Sequence, residues 1–315
     1  MHCKTKTAAV ALAFILGAGS SLLAQQKGQY VPGQVGLNAG LIPDPGFTYG
    51  NMTLNSSASR LNNSSANAVP GIGGVYGFWA NENFFYYVPH FKVLGGHFAP
   101  FVILPFANGS LTASGPLGIA PFGINAGGTG LADIWVQPLN IGWHFSRVDF
   151  SVGDGFVAPT GRYSSAPGTT NNVGSGYWTP VVSGGQTFYL SKNRATALSA
   201  FQMYEFHGTQ QGTMIHPGQT LNFDYSLTQV FPLQGNLRFQ LGLVGYGQWQ
   251  TTDKRGPTIT LEQAAAHYKV NALGFAANVM LPERKVSVGV KYFREFECRS
   301  TFQGYTLQIS GAVTF

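Results

Sequence analysis

Charged residues are scarce in this chain. Asp, Glu, Lys and Arg make up 10% of its 315 residues, against about 25% in an ordinary soluble domain. The mean hydropathy is nevertheless only +0.04, so much of the polarity comes from uncharged residues, and 42 glycines accompany them. A soluble domain of this composition would be poorly hydrated, and a bundle of membrane helices would be far more hydrophobic. The composition therefore argues against both classes.

Long apolar runs are also missing after the first residues. Residues 1–24 carry Lys4 and Lys6, then an apolar stretch and then small residues, which is the order of parts in a cleaved secretory signal peptide. Beyond them, polar residues or proline interrupt every apolar stretch before it reaches the ~18 residues of a transmembrane helix. The sequence therefore predicts export after cleavage behind Ala24 and excludes a helical membrane protein.

Cysteine, clustered charge and metal-binding patterns are lacking too. Cys3 falls in the predicted signal peptide, which leaves Cys298 alone and excludes an internal disulfide in the exported chain. The formal net charge is +6, but basic residues occur singly, so no nucleic-acid partner is predicted. The glycines of GDGFVAPTGR (153–162) lack the Lys-Ser/Thr pair of a phosphate loop, and no histidines have metal-site spacing. Neither a cofactor nor a metal is predicted.

What the chain has instead is alternation with a period of two, which places unlike side chains on the two faces of a strand. In 305–315, apolar and aromatic residues at odd positions, from Tyr305 to Phe315, alternate with small or polar residues. The same pattern runs through 148–152, 221–231, 237–250 and 286–292. These segments are typical of strands with one apolar and one polar face.

The connections between the predicted strands alternate in length. Long connections are expected at 57–73, 107–130, 158–176, 207–219, 251–266 and 295–303, and short ones at 92–96, 144–146, 191–194, 232–236 and 282–285. These eleven connections join twelve strands that run up and down. Three segments fit less well, namely 74–91, 195–206 and 131–143; in the last, Pro138 predicts a bulge.

A closed barrel accounts for both patterns. A tilted strand needs ~9–11 residues to cross a bilayer, and backbone groups in lipid are all paired only when the sheet closes on itself. The predicted fold is therefore all-β: a transmembrane, antiparallel, up-and-down β-barrel of about twelve strands, of the bacterial outer-membrane type. It comprises residues 47–315 and is surrounded by outer-membrane lipid. The turn-rich segment 25–46 is expected to be either a periplasmic tail or a plug in the lumen.

Several segments also resemble one family in order along the chain. They are GQYVPGQVGLNAGLIPDPG (28–46), GLADIWVQPLNIGWH (130–144), GDGFVAPTGRY (153–163), GYWTPVVSGGQTFYL (176–190) and LQGNLRFQLGLVGYGQWQ (233–250). They are similar to the outer-membrane barrels labelled phenol degradation meta-pathway proteins, which are also described as transporters. The resemblance implies an outer-membrane barrel that admits aromatic or other hydrophobic small molecules, and it transfers no catalytic residue. Phe315 resembles the terminal signal of such barrels, which makes the outer-membrane assembly machinery an expected partner.

Charged side chains on the polar face of the strands are the candidate lumen residues. The predicted polar face includes Asp149, Asp224, Arg238 and Lys291. They predict either charge pairs that stiffen the barrel or a constriction that tunes selectivity. Arg162, in the long connection 158–176, is a candidate for loop contact with a solute. Twelve strands should enclose a narrow passage, because ~8 strands are filled by side chains and ~16 leave an open channel.

The predicted function is passive uptake of small hydrophobic or aromatic molecules through this passage, without a cofactor and without catalysis. No GxSxG nucleophile motif occurs, and a short turn explains the neighbouring His144 and Ser146. A structural or adhesive outer-membrane surface protein is the alternative. An outer-membrane lipid-modifying enzyme is a third and weaker alternative.

Overall fold

The computed structural model describes residues 28–117, 120–166 and 168–315. The predicted signal peptide, 1–24, and the start of the irregular segment, 25–27, lie outside the described residues. The described chain forms one antiparallel sheet. Its strands are β1 (Gly46–Leu61), β2 (Gly73–Val88), β3 (Lys92–Val93), β4 (Gly96–Phe98), β5 (Phe101–Leu117), β6 (Ala120–Leu131), β7 (Ile134–His144), β8 (Val148–Ala158), β9 (Thr179–Tyr189), β10 (Thr196–Glu205), β11 (Thr220–Pro232), β12 (Arg238–Gln250), β13 (Lys269–Leu281), β14 (Val286–Arg299) and β15 (Phe302–Thr314). A short helix, α1 (Leu261–Ala265), lies between β12 and β13.

The sheet closes into a barrel with twelve strands in its wall. β1 pairs with both β2 and β15, so the first and the last strand of the chain are neighbours. β5 pairs with β2 and also with β7, from Phe101–Gln137 to Ile103–Trp135, and this pairing completes the ring. β3, β4 and β6 extend strands of the wall. The predicted antiparallel, up-and-down barrel of twelve strands is confirmed.

Most of the short turns and most of the long loops lie at opposite ends of the barrel. The turns after β7, β9, β11 and β13 define its turn end. The β5–β6 hairpin and the loops 62–72, 159–178, 206–219 and 251–268 define its loop end. β1 begins and β15 finishes at the turn end, where the Phe315 amide donates to the Phe47 carbonyl at 2.8 Å.

Two of the predicted long connections are strands for most of their length. β14 extends to Arg299 and β15 begins at Phe302, so the prediction of a long connection at 295–303 is wrong. Glu297 and Ser300 adopt left-handed φ values of 47° and 49°, which allow a bulge and then a tight turn. The predicted connection 107–130 is mostly the β5–β6 hairpin. Both segments carry charged, glycine or polar residues and therefore resemble loops in sequence.

Pro138 produces the predicted bulge. The register of β7 against β8 shifts between Val136 and Leu139, and the buried positions change from odd at Gln137 to even at Asn140. This prediction is confirmed. β10 alternates regularly between buried and less buried positions, although its sequence shows no clear alternation.

The two faces of the wall differ in exposure. Outward-facing apolar side chains are open to the surroundings, and Val288 and Ile309 are 55% and 53% exposed. Inward-facing side chains are buried, including polar ones such as Asn222 and Gln248. Tyr30, which precedes β1, belongs to a buried apolar cluster with inward residues of β5, β7, β9 and β10. The core of this protein therefore lies inside the barrel.

Candidate functional site

The N-terminal segment, residues 28–45, runs along the inside of the barrel. Near the loop end, the amide of Tyr30 donates to the Glu205 carboxylate at 2.8 Å. Near the turn end, the amide of Gly40 donates to Thr187 Oγ1 at 3.2 Å. Glu205 is the last residue of β10 and Thr187 lies close to the far end of β9. The segment therefore extends through the lumen from one end towards the other.

Glu205 holds the start of this segment. Its carboxylate accepts hydrogen bonds from the amides of Gln29 and Tyr30, both at 2.8 Å, and from Asn222 Nδ2 at 2.9 Å. His207 Nε2 lies 3.2 Å from the same carboxylate. Glu205 is fully buried, and a buried carboxylate is stable only when donors replace the water it has lost. The backbone of the N-terminal segment supplies two of these donors.

Asp224 and Lys291, two of the predicted lumen residues, hold the middle of the segment. Asp224 accepts from the Tyr30 hydroxyl at 2.5 Å and from the Gly33 amide at 2.8 Å. Lys291 Nζ donates to the carbonyls of Gly33 at 2.5 Å and Gln34 at 2.9 Å. The two buried side chains also attract each other electrostatically. Both side chains therefore bind the backbone of Gly33, Asp224 through its amide and Lys291 through its carbonyl.

Asp149 and Arg238, the other two predicted lumen residues, lie at the turn end. The Asp149 carboxylate is fully buried and accepts from Tyr189 Oη at 2.5 Å and from Arg194 Nη2 at 2.6 Å. His144 Nδ1 lies 3.1 Å from it. Asp149 therefore joins neighbouring strands and a turn. Arg238 is the first residue of β12 and is exposed.

Arg162 supports a loop that folds towards the lumen. Its side chain is exposed, and its guanidinium donates to the carbonyls of Asn171 at 2.8 Å and Thr129 at 3.2 Å. These bonds tie loop 159–178 to β6. Asn172 and Val173, which follow Asn171 in this loop, line the lumen cavity described next. Arg162 thus positions the loop from outside the cavity.

A cavity of about 170 Å³ remains beside the N-terminal segment, towards the loop end. Residues 28–32 and Gln34 form one side of it, and inward residues of the wall together with part of loop 159–178 form the rest. The lining includes the aromatic and aliphatic side chains of Tyr76, Phe78, Ile103, Trp135, Val157 and Met203 and the acidic side chains of Glu82, Asp133 and Glu295. A mostly apolar cavity with a few polar groups is the usual form of a small-molecule site.

Acidic groups dominate the electrostatics around residues 28–35. Glu82, Asp133 and Glu295 line the cavity, and Glu205 and Asp224 bind the segment. Burial raises the pKa of Asp133 above its usual range, while hydrogen bonds from Ser175, Gly161 and Gln29 oppose that shift. Lys291 supplies the positive charge that contacts the segment. A cation or a hydrogen-bond donor is therefore favoured here over an anion.

Sequence reasoning missed several of these acidic groups. Glu82 lies in 74–91, where aromatic residues on both faces hide the alternation, and Glu205 lies in 195–206, which alternates poorly. One signal was available in the sequence. An acidic residue that pairs with a buried position on each neighbouring strand must itself face the inside of the barrel. Glu82 faces Met52 on β1 and Pro105 on β5, which the strand assignments alone would place inside the barrel.

A histidine next to hydroxyl groups does not form an accessible reactive site. His207 lies 3.1 Å from Thr179 Oγ1 and 3.0 Å from Thr220 Oγ1. Both threonines are fully buried, so a substrate has no route to these hydroxyls. Within the described ranges, no group of three or more His, Cys, Asp or Glu residues is arranged to hold a metal ion.

Gly185 on β9 leaves room for the N-terminal segment. A Cβ at Gly185 would overlap the Ala39 carbonyl, whereas a Cβ at Gly184, on the opposite face, meets only ordinary contacts at 3.5 Å or more. Because overpacking costs about 1–3 kcal/mol, we expect Gly185→Val to raise the displaced fraction of the segment about tenfold. Limited proteolysis of the segment measures this fraction. Gly184→Val is the control, and equal protection in both variants would contradict the close packing.

Comparison with known proteins agrees with this architecture. None of the described helices has the length and apolarity to cross a membrane. The barrel is similar to the crystal structure of an outer membrane channel from Pseudomonas putida F1, with a TM-score of 0.69 and 12% identity over 91% of this chain and 100% of that chain. It is also similar to the β domain of the Bordetella autotransporter BrkA, with a TM-score of 0.51 and 11% identity over 86% and 100% of the two chains. At these identities the similarity concerns the fold alone.

The family assignment comes from the sequence. Among curated proteins, none matches the chain. The family described as MetA-pathway of phenol degradation matches residues 58–310, which covers most of the barrel wall, and the resemblance seen in the sequence is confirmed. The chain therefore belongs to the MetA-pathway of phenol degradation family.

Proposed function

We propose that this protein is a channel-like barrel of the bacterial outer membrane that admits small hydrophobic or aromatic molecules by passive diffusion. The observation that carries the proposal is the cavity of about 170 Å³, lined mainly by aromatic and aliphatic side chains, inside a closed wall. Its dimensions suit one small ring rather than a hydrated sugar or a peptide. No chemical step and no cofactor are needed for this role.

The outer face of the wall supports the membrane placement. Val288 and Ile309 are about half exposed, and exposed apolar rows of this kind are stable when lipid surrounds them. Aromatic side chains lie near both ends of β15, as in the aromatic girdles of outer-membrane barrels. Tyr305 stacks on Tyr292 and Phe315 stacks on Phe47, with ring centroids 6.2 and 6.3 Å apart. Phe315 is also 73% exposed, as a signal for the assembly machinery needs to be.

A charged residue introduced on this outer face tests whether the barrel lies in a membrane. We expect Ile309→Arg, near the middle of β15, to lower the free energy of unfolding by about 2–4 kcal/mol, because arginine is costly at the bilayer midplane. Val313→Arg, on the same face near the rim, should cost only about 0–1 kcal/mol. Urea titrations in lipid vesicles measure both values. Equal costs at the two positions would argue against a bilayer around this strand.

Passage through the lumen requires the N-terminal segment to move. Residues 28–45 fill the lumen beside the cavity, and Glu205, Asp224 and Lys291 hold the segment. In the proposed mechanism, a solute enters the cavity from the loop end and continues when part of the segment shifts towards the opposite wall. A change of this kind depends on the populations of the held and shifted states.

Uptake by intact cells tests the function. Porin-deficient cells that produce the protein are expected to take up radiolabelled toluene faster than cells that produce the Ile309→Arg variant, in which the barrel is destabilised. Purified protein in planar bilayers is expected to pass little ionic current, because the N-terminal segment occupies the lumen.

A structural surface protein is the second candidate, and the filled lumen favours it. If the segment never moves, the barrel is a closed wall with exposed loops. Cells with and without the protein would then take up toluene at the same rate. That result would remove the transport proposal and leave the structural one.

A further inference from the structure

We propose that the outer face of the wall, at the loop end of β13, β14 and β1, binds the phosphate groups of an anionic glycolipid of the outer leaflet. The site consists of Lys269, Arg294, Arg299 and Arg60, which we call the basic cluster. The inference goes beyond the proposed function, because it concerns the lipid around the barrel and not the passage of a solute through the lumen.

Three residues of the basic cluster lie on the outer face of two neighbouring strands. Lys269 begins β13 and pairs directly with Arg299, the last residue of β14. Paired residues of an antiparallel sheet share a face, and the neighbouring Cys298 belongs to a buried cluster inside the barrel. Arg294 is exposed and pairs with Tyr305, which is 39% exposed on the outside. The three cations therefore share one outward surface.

Arg60, on β1, completes the basic cluster. It is exposed and pairs with Gln303 of β15, and β15 lies between β14 and β1 in the sheet. Two strand spacings, about 10 Å, therefore separate Arg60 from β14. Its Nε donates to Asn62 Oδ1 at 2.9 Å, which orients the guanidinium. Cations spread over this width fit a lipid with more than one phosphate group.

Acidic residues do not balance the charge of this surface. Lys269 and Arg299 are directly opposite each other, and like charges in that position destabilise a strand pair. The acidic residues of β12–β15 and β1 are Glu295, which is buried inside the barrel, and Glu297, which is exposed. Among the described residues, no ion pair joins a carboxylate to the basic cluster. An external anion would relieve the repulsion.

Exposed apolar side chains next to the basic cluster, towards the turn end, favour a lipid over a free anion. Leu273 pairs with Arg294, and Phe275, which is 67% exposed, pairs with Tyr292. Tyr292 in turn stacks on Tyr305, with ring centroids 6.2 Å apart. Acyl chains can contact this apolar surface while the cations bind the headgroup. Long loops face outwards in outer-membrane barrels, so the lipid belongs to the outer leaflet.

Binding of bisphosphorylated lipid A to the purified full-length protein tests the inference. Native mass spectrometry in detergent, over a series of lipid concentrations, measures the bound fraction. The double variant Lys269→Gln, Arg299→Gln is expected to bind about thirtyfold more weakly, because each basic residue near an anionic membrane surface strengthens binding by roughly fivefold. Lipid A that lacks both phosphate groups should bind the unmodified protein more weakly still.

The double variant Lys192→Gln, Arg284→Gln is the matched control. It removes the same charge from exposed positions at the turn end and should keep the affinity of the unmodified protein. The exchange Lys269→Arg, Arg299→Lys preserves the charge and should also retain binding. Far-UV circular dichroism shows whether each variant keeps its strands, and Arg294→Gln replaces the first double variant if that one does not fold.

Three results would overturn the inference. They are equal binding of lipid A with and without phosphate groups, an equal loss of affinity in the two glutamine double variants, and displacement of lipid A by inorganic phosphate at the same concentration. The last result would indicate a site for a free anion. Toluene uptake without lipid A binding would refute only this inference, and lipid A binding without uptake would refute only the proposed function.

Discussion

Removal of residues 28–44 is expected to open the lumen. The ionic current per molecule in planar bilayers should rise by about tenfold or more, because a twelve-stranded wall is wider than the ~8-stranded barrels that side chains fill. The deletion leaves the strand pairing of β1, which begins at Gly46, intact. Glu205, Asp224 and Lys291 lose their partners in the segment, but water that enters the opened lumen can hydrate them.

The opened lumen should also prefer cations. Glu82, Glu205 and Asp224 project into it, whereas Lys291 supplies a single compensating charge among these four residues. Acidic rings favour cations in channels, so the reversal potential in a salt gradient should shift towards the cation value. Addition of salt should weaken this selectivity through screening.

A linker of equal length is the control for this deletion. Replacement of residues 28–44 by a Gly/Ser sequence keeps the chain in place but removes the contacts with Glu205, Asp224 and Lys291, and such linkers are flexible. An intermediate, fluctuating current would show that these contacts normally fix the segment. A current as low as that of the unmodified protein after the full deletion would indicate that loop 159–178, rather than the segment, closes the lumen.

The contents of the lumen explain how far the sequence could predict the fold and the site. Alternation placed Asp224 and Lys291 on the inward face, because one face meets the surroundings and the other the lumen. The inward residues of β10 include Phe201 and Met203, which pack with Tyr30 in one buried cluster. An apolar inward face removes the contrast between the two sides of a strand. Alternation therefore fails where the inward side chains that contact the N-terminal segment are apolar, and it succeeds where they are charged, as at Asp224 and Lys291.

Position along a strand is the second limit. Arg238 has the inward parity but lies at the first residue of β12, where it is exposed. Asp149 has the inward parity and is buried, but Arg194 and Tyr189 bind it at the turn end. The odd or even position of a residue indicates which face of the strand its side chain occupies. It does not indicate how deep in the barrel the side chain lies or which residue it contacts there. The partners of a lumen charge therefore required the structure.

Substitution of Asp224 or Lys291 alone should destabilise the protein more than substitution of both residues together. Asp224→Asn removes the larger of the two attractions, from Asp224 and Glu82, on the buried Lys291 ammonium, and Lys291→Gln removes the attraction on the Asp224 carboxylate. Loss of one of these two buried charges should cost about 1–3 kcal/mol, whereas replacement of both by neutral groups should cost less. The free energy of unfolding from urea titration should therefore fall strongly in each single variant and partly recover in the double variant.

The same series should change the position of the N-terminal segment. The Tyr30 hydroxyl and Gly33 amide donate to Asp224, and the Gly33 carbonyl accepts from Lys291. An asparagine and a glutamine can still form some of these bonds, but without the mutual attraction of the two charges. Protease cleavage within 28–45 should rise in the single variants and decline again in the double variant, in parallel with the unfolding free energies. Additive effects of the two substitutions would mean that the charges act independently, and the segment would then be held mainly by Glu205 and by the apolar packing of Tyr30.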